Sequence, residues 1–343
     1  MRAHYYECKL TCMEKRIYII LNPTADHGNA IKHVSQIEAY LDRNRIPYKL
    51  ELTRSSGDAI GLAKEVSLRY LQENRHGESG VRAVVAAGGD GTVNEVINGM
   101  MAAAESSRTH HREARELPLF GVIPVGRGND FAYGAGVPHS IEKACGLLHS
   151  ESFYPMDVGR ITGGLYPQGR YFGNGIGIGF DTMVGLEAAE VTWIPGFLGY
   201  VYGALKMLLV YPQAPLLRVS YGQSGEKVVT DRSHQVSIMN GKRMGGTFYM
   251  APEGDNSDNL LDLCMAKGDL KRGQLLQAIG QYTKGSQAKN PHIYIDRAVK
   301  FLVEAEEGEL VCHADGETIC TDGKELKVEC IPHALRMLAE SGT

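Results

Sequence analysis

The fold is decided by one stretch of the chain, Val84–Ile97, which reads VVAAGGDGTVNEVI. It continues an apolar run that starts at Val81 and is rich in β-branched residues, as is typical of a parallel strand covered on both faces. From Val93 the apolar residues return at helical spacing. The glycines in between let the backbone approach a ligand closely. Free amide groups at the start of a helix suit phosphate oxygens, so the stretch predicts a strand, an anion-binding turn and a helix.

The composition of the chain is that of an ordinary soluble globular protein. Its 343 residues suffice for two domains with sizeable cores. A net charge of -4 argues against a nucleic-acid partner, since such proteins usually carry a basic domain. The seven cysteines lack CxxC spacing and indicate reduced thiols rather than disulfides. No signal peptide or membrane-spanning stretch is visible, and we expect a cytoplasmic protein.

Residues 14–154 alternate four times between apolar strand and amphipathic helix, which indicates an α/β fold with a parallel sheet wrapped by helices. Residues 1–13 precede this pattern and are predicted to be a disordered extension. Polar or glycine-rich turns follow Leu21, Ala87 and Val125, each at the carboxyl end of a strand. Ligands of such folds bind at that edge of the sheet, so we expect the three turns to converge on one crevice.

Residues 155–332 contain short strands separated by turn residues, which indicates an antiparallel β-sandwich domain. One expected strand runs from Tyr171 to Ile178. The stretch 194–211 has too many large apolar side chains for one helical stripe, and it predicts a helix that is either buried between strands or contacts a membrane. Residues 333–343 have helical spacing and predict a helix that packs back on the first domain.

A second glycine turn, GRGND at residues 126–130, again combines glycines with a carboxylate. Backbone amides and the Arg127 guanidinium suit phosphate, the guanidinium by bidentate pairing. Asp90 and Asp130 would repel that phosphate unless Mg²⁺ lay between them and it, as is usual in phosphoryl transfer. The alternative is a pair of ordinary strand-to-helix turns in which the acids cap helices.

Further acidic positions lie in the second half of the chain. Asp157 stands at the junction between the two domains. Residues 255–262 cluster Asp and Asn side chains ahead of a strand, either as a cation-binding loop or as an ordinary turn. Asp315 and Glu317 flank a glycine in what reads as a hairpin tip.

These motifs stand in a fixed order, at residues 22–28, 88–95, 124–132, 156–159 and 315–317. In that order they resemble the bacterial lipid kinases related to diacylglycerol kinase, sphingosine kinase and ceramide kinase, over nearly the whole chain. The resemblance implies a nucleotide domain like that of NAD kinase and phosphofructokinase, followed by a β-sandwich domain. It also implies that ATP and Mg²⁺ bind in the cleft.

The resemblance carries a set of ATP-contacting residues onto this chain. They are Asn22, Thr53, Gly88, Gly89, Asp90, Gly91, Thr92, Val93, Asn94, Gly126, Arg127 and Asn129. Arg127 departs from the family's pattern, in which threonine is commoner. Because a guanidinium donates strongly, we expect Arg127 to bind a phosphate.

The resemblance also assigns the acids. Asp315 matches the general base of the diacylglycerol kinase branch, which would accept the proton of the lipid hydroxyl as the γ-phosphoryl group transfers. In the sphingosine kinase branch that role has been given to the acid that Asp90 matches, so both assignments stay open. Asp130 is a third expected catalytic acid, and Asp157 and Glu317 are expected acids of the cleft.

The loop at 255–262 resembles the structural metal loop of the family. On that match Asp258 offers its carboxylate to Mg²⁺, while Asp255 and Leu260 offer backbone carbonyls. Asn259 stands where the family has glycine, and asparagine tolerates the left-handed backbone conformation better than most residues.

The function that follows is transfer of the γ-phosphoryl group of ATP to a lipid hydroxyl, with diacylglycerol as the default acceptor and a sphingoid base or ceramide as substitutes. Such an enzyme would contact the inner membrane surface transiently, and a homodimer is one expected assembly. Two alternatives stay open. One is a kinase of a soluble metabolite, of the NAD kinase type, and the other is a non-catalytic regulator that binds nucleotide or lipid.

Overall fold

The computed structural model describes residues 15–74, 79–108, 116–190, 206, 209–210, 213–268 and 270–340. The predicted extension at 1–13 and nearly all of the predicted helix at 194–211 lie outside the described residues.

The first half of the chain forms a parallel sheet whose three inner strands are apolar and almost fully buried, while the edge strand carries Lys49 and Glu51. The strands are β1 (Arg16–Leu21), β2 (Tyr48–Leu52), β3 (Val81–Gly88) and β4 (Leu119–Pro124), in the order β2-β1-β3-β4. Helices pack on both faces of the sheet and bury two separate apolar clusters. They are α1 (Ala25–Gly28), α2 (Val34–Arg43), α3 (Asp58–Glu73), α4 (Asp90–Arg108), α5 (Asp130–Gly134) and α6 (Ile141–Leu147).

The second half is antiparallel and closes into a β-sandwich around one apolar core. Its strands are β5 (Phe153–Gly163), β6 (Tyr166–Phe172), β7 (Gly175–Gly179), β8 (Leu216–Gly222), β9 (Lys227–Met239), β10 (Leu261–Lys267), β11 (Ile293–Ala298), β12 (Lys300–Glu307), β13 (Leu310–Ala314), β14 (Glu317–Gly323) and β15 (Glu325–Leu338). Its helices are α7 (Phe180–Glu190) and α8 (Arg272–Tyr282). Strand β9 pairs with β8 in one layer and with β7 and β10 in the other, which joins the layers.

The single strand predicted over 171–178 is two strands, β6 and β7, separated at Gly173 and Asn174. The chain leaves the ladder there because three successive backbone N–H groups, from Gly173 to Gly175, donate to the carboxylate of Asp315. A side chain remote in sequence therefore overrides the local β-pattern.

The helix predicted over 333–343 is wrong, because residues 333–338 belong to strand β15. Leu335 pairs with Met156 and Met337 with Tyr154, both on β5. The apolar spacing fits helix and strand equally well over so short a stretch, and the distant partner strand decides between them. Met337 also pairs in parallel with Phe120 of β4, so one layer of the sandwich continues the parallel sheet.

Among the described residues, no helix is both long and apolar enough to cross a membrane.

Candidate active site

The two predicted glycine turns touch each other through their backbones. A Cβ on Gly126 would lie 2.2 Å from the Cα of Gly89, closer than any side chain could come, so glycine is required there. Asn129, at a φ of 49°, holds its turn by accepting from the backbone N–H of Gly126 at 3.1 Å and donating to its carbonyl at 2.7 Å. The carboxyl ends of β3 and β4 are therefore fixed side by side.

Asp90 and Asp130 lie at this junction. Asp90 is the first residue of α4, where the helix dipole favours a carboxylate, and its Oδ1 accepts from the backbone N–H of Phe131 at 2.9 Å. Asp130 is only 5% exposed and accepts from Nε of Arg243 at 2.9 Å and from the N–H of Gly246 at 2.9 Å. Arg243 and Gly246 come from the second half of the chain, so Asp130 links the two halves.

The environment of Asp130 raises the pKa of its carboxyl group to about 6. Burial is the largest cause and the negative charge of Asp90 is the next, while Gly246 and Arg243 oppose them. The structure therefore holds two carboxylates close together, one of which retains a proton to unusually high pH. A buried carboxyl group whose pKa is raised in this way is typical of functional sites.

The change Asp130→Asn should flatten the pH dependence of stability between about pH 4 and about pH 6. Because folding raises this pKa, the folded state alone binds the proton in that window, and its advantage is lost as the pH rises through about 6. The contribution lost is on the order of 3 kcal/mol. Urea unfolding of both proteins across this range measures it, and parallel curves would contradict the assignment.

Asp315 lies at the tip of the hairpin β13–β14, at a φ of 47°. Its carboxylate accepts from the backbone N–H groups of Gly173 at 2.7 Å, Asn174 at 3.1 Å and Gly175 at 2.9 Å. A fourth donor is Nδ2 of Asn94, at 3.0 Å. Burial nevertheless raises the pKa of Asp315, with these four donors opposing the shift.

Helix α4 connects these acids. Asp90 and Asn94 are four residues apart and therefore share one face of the helix. Asp90 influences Asp130 electrostatically, and Asn94 donates to Asp315. Asp90 and Asp130 thus lie close together at the carboxyl edge of the parallel sheet, and Asp315 is joined to the same helix through Asn94.

The other predicted nucleotide residues surround the same edge. The Oδ1 of Asn22 accepts from both the N–H and the hydroxyl of Thr24, and Thr53 is buried just after β2. Thr92 and Val93 are also buried, with Thr92 packed against Gly88. A Cβ on Gly91 would meet nothing within 4 Å. Open space beside the first-turn amides of a 19-residue helix suits a phosphate chain.

Arg127 is half exposed, and its Nε lies 3.9 Å from Oδ1 of Asp26. Such an exposed pair contributes little to stability, so the guanidinium can turn to an anion at small cost.

If Arg127 binds a phosphate, as the sequence predicts, the change Arg127→Thr should raise the Kd for ATP about tenfold, because a charge-assisted hydrogen bond is lost. Titration of a fluorescent ATP analogue measures this, with Arg43→Thr on an exposed helix end as the control. An unchanged Kd would show that Arg127 is no phosphate anchor.

Asp157 does not face solvent, since it is fully buried. Its carboxylate accepts from the backbone N–H of Asn259 at 2.6 Å and from that of His333 at 2.7 Å. Both donors have a positive φ, so Asp157 fixes the loop and the bend in β15. Glu317 begins β14, two residues after Asp315, and is partly exposed.

The predicted metal loop offers oxygen atoms that could bind a metal ion, but the guanidinium of Arg297 also lies beside them. Asp258 accepts from the N–H of Leu260 through Oδ1, while its Oδ2 lies 3.4 Å from Arg297. Arg297 also donates to Asp262 at 2.8 Å, and the side chain of Asp255 accepts from Ser257. No group of three or more His, Cys, Asp or Glu gathers among the described residues, so Mg²⁺ here would depend on backbone carbonyls.

Sequence reasoning missed two arginines at the site, Arg243 and Arg170. Arg243 pairs with Asp130 and stacks over the ring of Tyr133 at 4.0 Å, while Arg170 donates to Asn94 at 2.8 Å. Neither stands in a motif, and only the folded arrangement shows their partners. The one available signal was the pair Gly245 and Gly246 beside Arg243, both of which adopt a positive φ.

Two family models match adjacent parts of the chain. The diacylglycerol kinase catalytic domain matches residues 16–161, and the YegS C-terminal NAD kinase beta sandwich-like domain matches residues 174–339. Together they span both halves of the fold.

Whole-length comparisons agree. The diacylglycerol kinase of Bacillus subtilis (strain 168) is 29% identical over 308 residues, which cover 88% of this chain and 90% of that protein. A Citrobacter koseri protein named "Probable lipid kinase YegS-like" is 28% identical over 296 residues, covering 81% and 89%. The crystal structure of a diacylglycerol kinase from Bacillus anthracis str. Sterne has a TM-score of 0.64 at 22% identity, covering 96% and 97%, which shows a shared fold. With both domains matched in order, the chain belongs to the diacylglycerol kinase-like family of kinases.

Proposed function

We propose that this protein transfers the γ-phosphoryl group of ATP to the hydroxyl of a membrane lipid, with diacylglycerol as the default acceptor and phosphatidic acid as the product. The observation that carries the proposal is the position of Asp315. A carboxylate of the sandwich half meets, through Asn94, the helix that begins at the glycine turn. This contact supports a mechanism in which a base from one half acts beside a phosphate bound by the other, as transfer between two bound substrates requires.

In this proposal the residues divide their tasks by position. The first-turn amides of α4 and the guanidinium of Arg127 bind the phosphates of ATP. Asp90 and Asp130 would hold Mg²⁺ beside those phosphates, where the ion would supply positive charge that offsets the repulsion between phosphate and carboxylate. Asp315, with its raised pKa, accepts the proton of the lipid hydroxyl in place of one of the four donors that now occupy its oxygens. The protein works at the membrane surface because its acceptor resides there.

The proposal is tested with radiolabelled ATP, Mg²⁺ and vesicles made from extracted bacterial lipids, with products separated by head group. Labelled phosphatidic acid is expected from the unaltered protein and not from Asp315→Asn. Pelleting the vesicles in the same assay measures surface association. If the product is a sphingoid base phosphate or ceramide phosphate, the acceptor is a different lipid from diacylglycerol, while the proposed phosphoryl transfer from ATP stands.

Other outcomes would favour the alternatives. Phosphorylation of NAD without any labelled lipid would establish a soluble-metabolite kinase. Tight lipid binding without turnover of ATP would establish a regulator. All the expected carboxylates are present in the sequence, and this favours a catalytic protein over a non-catalytic regulator.

We also propose that the loop at 255–260 binds a structural Mg²⁺ through Asp258 and the carbonyls of Asp255 and Leu260. Magnesium should then raise the Tm of the unaltered protein, and the change Asp258→Asn should abolish that rise, because a ligand of the folded state stabilises it by mass action. Thermal unfolding with and without Mg²⁺ measures both. If neither protein responds, Arg297 alone neutralises the loop.

A further inference from the structure

The carboxamide of Asn94 is fully buried and all of its hydrogen-bonding capacity is used. Its Oδ1 accepts from Arg170 at 2.8 Å and from Nδ2 of Asn98 at 3.1 Å. Its Nδ2 donates to the carbonyl of Tyr171 at 3.0 Å and to Oδ2 of Asp315 at 3.0 Å. No lone pair or N–H of this side chain is left for a nucleotide.

The chemistry of its neighbours forces the orientation of this carboxamide. Arginine has donors and no acceptor, so Arg170 can face only the oxygen. A carbonyl and an ionised carboxylate accept and cannot donate, so Tyr171 and Asp315 can face only the NH₂ group. Turning the amide over would set its NH₂ group against Arg170 and its oxygen against a carbonyl and a carboxylate, so the hydrogen bonds to Arg170, Tyr171 and Asp315 would all be lost.

Asn94 is also the one described donor to Asp315 that comes from the first half of the chain. The other three are backbone N–H groups between β6 and β7, and they hold Asp315 to its own half. Asn94 therefore sets the distance between Asp315 and the helix that carries Asp90. In phosphoryl transfer, misplacing a reacting group by about 1 Å costs about 10²-fold in rate.

We infer that Asn94, oriented by Arg170, is a positioning residue for Asp315 and not a ligand of the nucleotide. This inference rests on the proposed function, in which Asp315 is the base, and it reassigns a residue that the sequence placed among the ATP contacts.

The test is Asn94→Asp, which keeps the size of the side chain but sets a carboxylate against Asp315. We expect kcat for lipid phosphorylation to fall about 10²-fold, with the Kd for ATP unchanged within about twofold. Arg170→Gln should lower kcat in the same way by a smaller factor, because Asn98 still donates to the oxygen. Arg170→Lys, which retains a charged donor, should recover part of that loss. Asn44→Asp, at an exposed helix end, is the control.

Each other outcome decides against the inference. A raised Kd for ATP with kcat retained would make Asn94 a nucleotide ligand. A lowered Tm with kcat and Kd both retained would make the network structural only. Should Asn94→Asp fail to fold, Arg170→Gln and Arg170→Lys still test the inference, because Arg170 contacts the side chain of Asn94 and not that of Asp315.

A second readout separates this inference from the proposed function. The ¹³C carboxyl resonance of Asp315, identified by its absence in Asp315→Asn, should move in both Asn94→Asp and Arg170→Gln and stay in place in Asn44→Asp. If the unaltered protein phosphorylates no lipid, the proposed function fails, but this resonance still tests whether Asn94 and Arg170 position Asp315. If the resonance stays in place in all three variants, Asn94 does not position Asp315.

Discussion

Replacing Asp315 by asparagine is expected to lower kcat for lipid phosphorylation by about 10³-fold, while the Kd for ATP stays nearly constant. An amide cannot accept the proton that the lipid hydroxyl must release. The proposed ATP site consists of residues from the first half of the chain, so the affinity for ATP should survive. Kinetics on vesicles and a separate titration with an ATP analogue measure the two quantities.

Asp315→Asn should also reduce stability. The new NH₂ group would face at least one of the three backbone N–H groups that now donate to the carboxylate. Leaving such a donor unpaired costs about 1–3 kcal/mol. The rates must therefore be expressed per folded molecule, and Asp322→Asn, an exposed acid on the same hairpin, is the matched control. Activity close to that of the unaltered protein would remove Asp315 from the mechanism.

Replacing Asp90 by asparagine is expected to lower kcat by about 10²-fold or more. The asparagine can still accept from the N–H of Phe131, so the turn should hold while the charge beside the phosphates disappears. The pKa of Asp130 should fall at the same time, because the charge of Asp90 is one of the causes that raise it.

The control for Asp90→Asn is Asp58→Asn. Asp58 is also the first residue of a helix and also accepts from a backbone N–H, that of Arg54 at 2.8 Å, but it is not one of the converging acids. If both variants lose activity equally, the loss comes from removing a carboxylate at the start of a helix and not from a role in phosphoryl transfer. If Asp90→Asn retains full activity in purified protein, Asp90 has no role in the chemistry.

Much of this arrangement could be predicted from the sequence because it depends on local signals. The alternation of strand and helix places the turns that carry Asp90 and Asp130 at one edge of a parallel sheet. The glycines were expected to let the backbone approach a ligand closely, and the structure shows in addition that Gly89 and Gly126 approach each other, which no side chain would permit. Two family models then matched both halves in the expected order.

What could not be predicted depends on contacts between residues remote in sequence. Nothing local indicates that Arg243 pairs with Asp130, or that Asn94 turns its NH₂ group toward Asp315. The break between β6 and β7 has the same origin, because the carboxylate that draws the backbone out of the ladder comes from another hairpin. The last part of β15, residues 333–338, was predicted as helix because its partner, β5, lies far away in the chain.

Strand β15 joins the two halves of the chain into one sheet by pairing with β4. In a fragment that ends near residue 154, β4 would lose this neighbour and become an exposed edge strand. In the complementary fragment, the edge of β15 that pairs with β4 would be exposed. Bare edges of this kind invite aggregation, so neither fragment should be soluble by itself. Melting of the intact chain should correspondingly be a single cooperative event, since the two halves share one hydrogen-bonded sheet.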